Sequence, residues 1–567
     1  MPLFGSRPAF FFRSRHRRHV DPWSLVTLGV ALSVALPVIT VLVHVLIPSR
    51  AIWAHLADTV LTGYLTNTLW LALGVGIGTT VIGTGTAWLI AMCRFPGRRV
   101  FEWALLLPLA VPTYVIAYAY TDFLQYAGPL QSELRALFGW DHGDYVFPNI
   151  RSLGGATLLI TLVLYPYVYL LTRAAFLEQS ACVLDVGRTL GRGPWRLFTT
   201  VAVPLARPAI IGGVSLVLME TLNEFGAVQY FGVDTFTTGI YRTWFGMGEP
   251  VAAAQLAACL LAFVIIVVAL ERLSRGRRRY FHTTGRYRQL PEFTLRGWHA
   301  GGACLACALP IGIGFVLPGA ILADLALDTG DDVLGARFLD YAGNSLMLAA
   351  LAALVAVGLA LVLSYGVRLH PGRTTRTATR IAAMGYAVPG SVVAVGILIP
   401  LTWVDRHLYA WLNGQLGIET GLILSGTAFV LIYAYVVRFL AVSFNTVEAS
   451  LAKVTPSMDA ASRTLGQTAG GTLRRVHTPL MRGSLWAALL LVFVDVMKEL
   501  PATVILRPFD FDTLAVRAHN LAADERLAEA ASSSLAIVLV GVIPVILLSR
   551  AIRHARPGAS GGKREAL

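Results

Sequence analysis

Apolar stretches long enough to cross a bilayer recur along the whole chain, separated by short polar segments. The first runs from Trp23 to Ile47, and five more follow at about 66–92, 101–125, 154–176, 208–230 and 251–272. A second set falls at about 301–323, 341–366, 379–402, 418–443, 483–506 and 528–552. Each is near the ~20 residues a helix needs to span the hydrocarbon. Backbone N–H and C=O groups find no water inside lipid, so each run closes its hydrogen bonds within itself as a helix. The pattern predicts an all-α polytopic membrane protein with about 12 transmembrane helices. The first run is too long for a signal-peptide core and lacks a small-residue cleavage site, so it reads as a retained span.

Two polar stretches resemble each other. Asp185 to Pro208 reads DVGRTLGRGPWRLFTTVAVPLARP, and Ala460 to Gly483 reads AASRTLGQTAGGTLRRVHTPLMRG. Both contain Arg-Thr-Leu-Gly, with Gly191 thirteen residues before Pro204 and Gly466 thirteen before Pro479. Glycine stops a helix by taking up a left-handed turn, and proline favours a helix start. Each copy therefore predicts a short helix, a glycine stop, and a second helix leading to a proline that opens the next apolar segment.

The duplication extends beyond these loops. Asn67-Thr68 and Asn344-Ser345 open corresponding spans, Pro96-Gly97-Arg98 and Pro371-Gly372-Arg373 close them, and Ala110-Val111-Pro112 recurs as Ala387-Val388-Pro389. An even number of spans separates equivalent positions, which makes the two six-helix repeats parallel, with a pathway expected between them. The expected organisation is a basic N-terminus at 1–22, a first half at 23–272 with its loop at 177–207, and a basic linker at 273–297. A second half at 298–552 follows, with its loop at 446–482, and then a tail at 553–567.

With 56% hydrophobic and 14% charged residues, the composition excludes an ordinary soluble globular protein. The formal charge of +14 sits mostly in flanks of apolar runs: Arg7, Arg13, Arg15, Arg17 and Arg18, the linker arginines from Arg272 to Arg288, and Arg550 to Arg564. Such placement sets topology rather than nucleic-acid binding, and it puts both termini, the linker and both repeated loops in the cytoplasm. The alternate loops are acidic, with Asp122, Glu133, Asp141 and Asp144 in one and Asp324, Asp328, Asp331, Asp332 and Asp340 in another. Five cysteines form no disulfide framework, and Cys304 with Cys307 reads as a pair of small residues in a span.

The span after each repeated loop carries polar residues at matching places: Glu220, Asn223 and Glu224 in METLNEFG, and Asp495, Lys498 and Glu499 in VDVMKELP. Positions i, i+3 and i+4 share a helix face. A charge at the bilayer centre costs about 2.5–3.5 kcal/mol, so these faces turn toward the bundle interior or a wet cavity. Two readings stay open: the residues line and gate a translocation path, or they pair and hydrogen-bond between helices. Tyrosines cluster as Tyr114, Tyr118 and Tyr120, as Tyr165, Tyr167 and Tyr169, and as Tyr433 and Tyr435. They are hard donors for a hard cation, or members of an aromatic belt and packing residues. The histidines form no compact ligand pattern, so no dedicated metal site is expected. No phosphate-binding loop is present, since Gly558 to Lys563 lacks the following Ser or Thr. Nor is there a nucleophile and base arrangement, and no catalytic residue or bound cofactor is expected in this chain.

The repeated loops resemble the EAA loop of ABC importer permeases, whose pattern is Glu-Ala-Ala, three residues, Gly, nine residues, then Ile-x-Leu-Pro. In the first copy Asp185, Val186 and Gly187 stand at Glu-Ala-Ala, Gly191 at the glycine, and Val201, Val203 and Pro204 at the ending. In the second, Ala460 takes the acidic position with Asp459 just before it, and Thr478 replaces the leucine before Pro479. The segments Met219 to Phe245 and Asp495 to Arg517 look like those of fused ferric iron ABC transporter permeases; related fused permeases handle thiamine or phosphonates. The resemblance implies a type I permease in a bacterial inner membrane, served by a periplasmic or lipid-tethered binding protein and two cytoplasmic ATPase subunits that hold ATP and Mg. It implies that Gly191 and Gly466 set the angle between paired loop helices. Asp185, Gly187, Arg188 and Pro204, with Asp459, Ala461, Arg463 and Pro479, would complete the coupling surfaces. A gradient-driven carrier using Glu220, Glu224, Asp495 and Glu499 is the alternative class.

Overall fold

The computed structural model describes residues 22–141, 143–178, 189, 193–275, 293–328, 336–417, 419 and 421–554. The basic N-terminal segment, most of the linker arginines and the tail from 555 lie outside the described residues. So do Asp185, Gly187, Arg188 and Gly191 of the first repeated loop.

The described chain is predominantly helical, its helices joined by turns and loops, with one parallel pair of two-residue strands, Cys93–Arg94 and Phe293–Thr294. Eleven helices are long and apolar enough to cross a membrane, and a bent pair, Arg98–Ala110 with Thr113–Phe138, makes up to 12. In the first half we label α1 Pro22–His44, α2 Leu61–Met92, α3 Arg98–Ala104, α4 Thr113–Leu124, α5 Leu153–Glu178 and α6 Val203–Asn223. Two short helices, α7 Gly226–Tyr230 and α8 Phe236–Tyr241, precede α9 Pro250–Arg275. The second half repeats this order. It runs α10 Trp298–Ile311, α11 Leu317–Asp328, α12 Ala336–Leu369, α13 Arg373–Ala382, α14 Gly390–Leu416 and α15 Ala428–Leu451. After these come α16 Pro456–Thr464, α17 Thr478–Met497, α18 Pro501–Leu506, α19 Leu514–Ala523 and α20 Leu527–His554.

Side-chain contacts recur with the duplication. Asn67 Nδ2 donates to the Asp234 carbonyl at 2.9 Å, and Asn344 Nδ2 to the Asp512 carbonyl at 3.1 Å. The next residue accepts a backbone N–H in each half: Phe236 N–H to Thr68 at 3.4 Å, and Leu514 N–H to Ser345 at 2.8 Å. The matched Asn-Thr and Asn-Ser pairs thus pin the start of α8 and α19 to the long helix of their own half.

The halves also exchange elements. α1 packs on α13 and α14 of the second half, while α10 packs on α2 and α3, and α11 on α4. The closing helices cross too, α9 against α14 and α20 against α4. Close approach is permitted by glycine: a Cβ at Gly396 would lie 2.2 Å from the Pro37 carbonyl oxygen of α1. Within the first half, α2 meets α5 along Gly74 and Gly78, where a Cβ would stand 2.6 Å and 2.7 Å from Thr157 and Thr161 methyls. Small residues at such spacing let helix backbones approach in lipid, where packing rather than water exclusion holds helices together.

Two features correct the sequence expectation. The runs 208–230 and 483–506 are not single spans, since α6 ends at Asn223 and α17 at Met497, and α7 and α18 are separate short helices. Nor do Pro204 and Pro479 open new helices. Helix continues from Pro194 to Asn223 and from Ala469 to Met497 through five-residue π turns at Phe198–Ala202 and Leu473–His477. In a regular turn a proline lacks the donor and its ring strikes the carbonyl four residues back. The widened turn before each proline, with Val203 N–H reaching the Phe198 carbonyl and Thr478 N–H the Leu473 carbonyl, removes that conflict.

Candidate coupling loop and central cavity

The second repeated loop contains α16, whose end follows from one residue. Gly466 has φ +77°, the left-handed region, and its N–H donates to the Arg463 carbonyl at 2.9 Å while Gln467 N–H donates to the Ser462 carbonyl at 3.1 Å. This pair of bonds is a Schellman motif with glycine at the left-handed position, so the predicted glycine stop is present. Ser462 and Thr472 hydroxyls meet at 2.8 Å across the turn and fix the angle to the following helix. Ala461 and Arg463 are exposed, as are Met458 and Leu465. Met458, Ala461 and Leu465 lie at i, i+3 and i+7 and form an apolar ridge with no covering element among the described residues.

Asp459 faces the other way. Arg368, near the end of α12, donates from Nε to its Oδ2 at 2.8 Å, and His477 Nε2 donates to its Oδ1 at 2.6 Å. Partial burial pushes the Asp459 pKa up, but the Arg368 and His477 hydrogen bonds outweigh it and hold the carboxyl below its ordinary value. Arg368 also donates to the Leu451 carbonyl, which already accepts the Val454 N–H at 3.1 Å, and to the Val454 carbonyl just beyond α15, both at 2.8 Å. One guanidinium therefore ties α12, α15 and α16 together. Neither Arg368 nor His477 was singled out in the sequence. His477 is fully buried in the π turn that precedes Pro479.

The six polar residues of α6 and α17 converge. Glu220, Asn223, Glu224, Asp495, Lys498 and Glu499 all line one cavity of ≈ 90 Å³ where the two halves meet, together with Thr113, Tyr114, Tyr167, Tyr386 and Arg438. Their roles differ. Glu224 Oε1 accepts from Ala227 N–H at 2.9 Å and so caps α7, while its Oε2 takes the Thr113 hydroxyl. Glu499 caps α18, accepting from Ala502 N–H at 3.0 Å and Thr503 N–H at 3.1 Å, and also takes Arg438 Nη1 at 2.5 Å. A carboxylate at a helix N-terminus satisfies orphan donors and meets the positive end of the helix dipole. This is why each apolar run breaks at its glutamate. Asn223 Oδ1 accepts the Gly390 N–H of α14 at 2.6 Å, joining the halves, and Lys498 pairs with Asp495 at 3.0 Å. Four carboxylates thus face two cations around the cavity.

These residues hydrogen-bond between helices and also line the cavity. Glu224, Glu499 and Asn223 are structural partners that also wall the cavity, and Glu220, Asp495 and Lys498 present their groups to it. Most candidate tyrosines tie helices instead: Tyr120 to the Ile313 carbonyl at 2.6 Å, Tyr169 to Glu102 carbonyl at 2.9 Å, Tyr433 to Ser33 carbonyl at 2.6 Å, and Tyr435 to Thr503 at 2.8 Å. Tyr118 meets His519 Nδ1 at 2.8 Å. Tyr114 and Tyr167 reach the cavity, joined by Tyr386. Arg438 was legible as the one charge in the interior of the run 418–443, Glu419 standing at its edge, and there only a partner makes it tolerable. Thr113 and Gly390 carried no comparable signal. Cys93, Cys259, Cys304 and Cys307 are free thiols.

An all-helical membrane protein of two interlocked repeats, with a polar cavity on their junction, is a permease in architecture. The pattern of the family described as binding-protein-dependent transport system inner membrane component matches residues 80–280. The Fe(3+)-transport system permease protein FbpB 2 of Haemophilus influenzae is 28% identical over 494 residues, 86% of this chain and 89% of that relative. The putative ferric transport system permease protein FbpB 1 of the same organism is 24% identical over 472 residues, 80% of this chain and 71% of its own. The molybdenum transport system permease protein ModB of Escherichia coli is 29% identical over 203 residues, 34% of this chain but 85% of its own. A relative nearly spent on a third of this chain has the size of one repeat. The chain thus resembles the binding-protein-dependent inner membrane transport components, the family pattern covering the first repeat and the ferric relatives running through both.

Proposed function

We propose that this chain is the permease subunit through which an ATP-driven importer moves ferric iron into the cell, the iron being handed over by a periplasmic or lipid-tethered binding protein. The observation that carries the reading is the cavity on the junction of the halves, where four carboxylates and three phenols outnumber two cations. Hard oxygen donors and a net negative lining suit a hard cation. The ferric names of relatives that match most of the chain agree with it. A phosphonate, the cargo named for relatives that match 38% of the chain, would meet uncompensated carboxylates there.

Two ATPase subunits, carrying ATP and Mg, would each hold one repeated loop on the cytoplasmic side, with both chain termini on that side. In the second loop the ridge of Met458, Ala461 and Leu465, with Arg463 beside it, is the docking face, and Gly466 and Pro479 fix the helices that carry it. By the sequence correspondence of the two loops, Asp185, Gly187, Arg188, Gly191 and Pro204 would serve the first ATPase contact. Closure of the ATPases moves the loops. The Arg368 clamp passes that motion to α12 and α15, and the helix from Ala469 to Met497 passes it to Asp495, Lys498 and Glu499. Two-state coupling requires that loop contacts differ between the states.

Uptake of labelled ferric iron by cells lacking the chain, with and without its restoration, tests the reading, with thiamine and a phosphonate as competitors. Iron uptake that returns with the chain, resists both competitors and falls in Glu220→Gln is the expected result. Uptake indifferent to the chain removes iron as cargo. Iron flux by the chain alone in proteoliposomes, without an ATPase, would favour a gradient-driven carrier.

A further inference from the structure

The cavity residues are unequal in the two halves. Glu220 and Asp495 occupy equivalent positions, each three residues before Asn223 or Lys498. Asn223 is a neutral amide committed to the Gly390 backbone at 2.6 Å. Lys498 is instead a cation tethered 3.0 Å from Asp495, in the electrostatic field of Glu220 and Tyr167 as well. Both members of this pair keep some exposure, 28% for Lys498 and 21% for Asp495, on the cavity they line. Arg438 and Glu499, by contrast, are sealed at 7% and 1%, so that pair is a fixed strut. A further wall residue, Tyr114, is buried with a hydroxyl that has no hydrogen-bond partner.

We propose that Lys498 is a built-in counter-cation that occupies the position between Asp495 and Glu220 in the empty passage and is displaced by the incoming cationic cargo. The proposal rests on the reading that the cargo is a hard cation. Two carboxylates without a counter-ion in a poorly screened interior would hold a trivalent ion too firmly for a passage, because attraction scales with charge over distance and dielectric. Conduction needs a site weak enough to leave. A tethered ammonium weakens the site twice: an ion pair must break for cargo to enter, and its re-formation helps cargo depart. Lysine suits this role, since its compact charge swings on a flexible four-carbon stem, whereas a guanidinium fork would lock onto a carboxylate.

The test is a titration of the assembled transporter, permease with its ATPase subunits, in lipid nanodiscs, with Tb³⁺ as probe and luminescence sensitised by the nearby tyrosines as readout. Lys498→Gln is expected to raise Tb³⁺ affinity at least tenfold and to slow ferric uptake, Lys498→Arg, whose fork holds the carboxylate more firmly, to lower Tb³⁺ affinity below wild type, and Lys498→Gln with Glu220→Gln to lose the gain. Lys498→Asn, the side chain the first half uses, gives the same comparison should the glutamine variant fail to assemble. Unchanged Tb³⁺ affinity in a correctly assembled Lys498 variant overturns the proposal, as does a gain that survives Glu220→Gln. A wild-type complex that carries no ferric iron would instead overturn the functional reading, while the titration would still decide the role of Lys498.

Discussion

Gly466 offers a clean test of loop coupling because its environment separates backbone strain from steric clash. A Cβ built there meets nothing within 4 Å, yet φ is +77°. Any effect of Gly466→Ala therefore comes from the left-handed backbone, at about 1–2 kcal/mol for an L residue. Asparagine tolerates that region far better, so Gly466→Asn is a larger side chain with a smaller penalty. With 1.4 kcal/mol equal to a factor of ten, Ala should depopulate the Schellman turn about 5- to 30-fold relative to glycine, and Val more, being β-branched. The assay is stimulation of ATPase by cargo-loaded binding protein, alongside uptake, at matched protein levels. Coupling should fall in the order Gly, Asn, Ala, Val. Equal coupling in the Asn and Ala variants, or an order that follows side-chain size, would refute the argument that the turn sets the docking angle.

Removing one member of the sealed Arg438–Glu499 pair should cost roughly 3–5 kcal/mol; Arg438→Met belongs at the lower end, because Glu499 keeps its cap bonds, and a double-mutant cycle on thermal unfolding in detergent reads the coupling. Gly390→Ala would place a Cβ 2.8 Å from Glu499 Oε1 and 3.0 Å from Arg438 Nη1, so uptake should collapse in this variant while Gly414→Ala, with open space around it, stays normal. Asp459 has a depressed folded pKa, so its contribution is fully present above the ordinary carboxylate pKa and is lost as pH falls through the folded value. Protection from hydrogen exchange across 456–464, corrected for the intrinsic pH dependence of amide exchange, should accordingly be level from pH 5 to 8 and fall only in more acid buffer, and Asp459→Asn should lower it throughout pH 5 to 8.

Much of the architecture was legible because membrane crossing imposes a local rule: ~20 apolar residues and an internally bonded backbone. The duplication was equally local, and it brought out the six polar positions of α6 and α17 by number. What the chain order could not reveal was which atoms each would meet. Glu224 and Glu499 read as pathway acids from helical spacing, but their oxygens accept N–H groups three residues on, at the N-termini of α7 and α18. That break is invisible to hydropathy, since the runs stay apolar through it. Asp459 read as a coupling acid by its neighbourhood, yet Arg368, 91 residues earlier, turns it inward.

The sequence by itself determined that the chain crosses the membrane repeatedly, that it holds two repeats and that a glycine stops the first helix of the second loop, because each is carried by composition and order along the chain and needs no contact between distant segments. Only the tertiary structure decided that the halves exchange their first and last helices, that the prolines sit inside continuous helices behind widened turns, and that one cavity gathers residues from seven helices of both halves. Those outcomes depend on which surfaces approach closely enough to share a hydrogen bond or an ion pair, and pairing between groups such as Asn223 and Gly390, 167 residues apart, is set by packing in three dimensions rather than by periodicity along the chain.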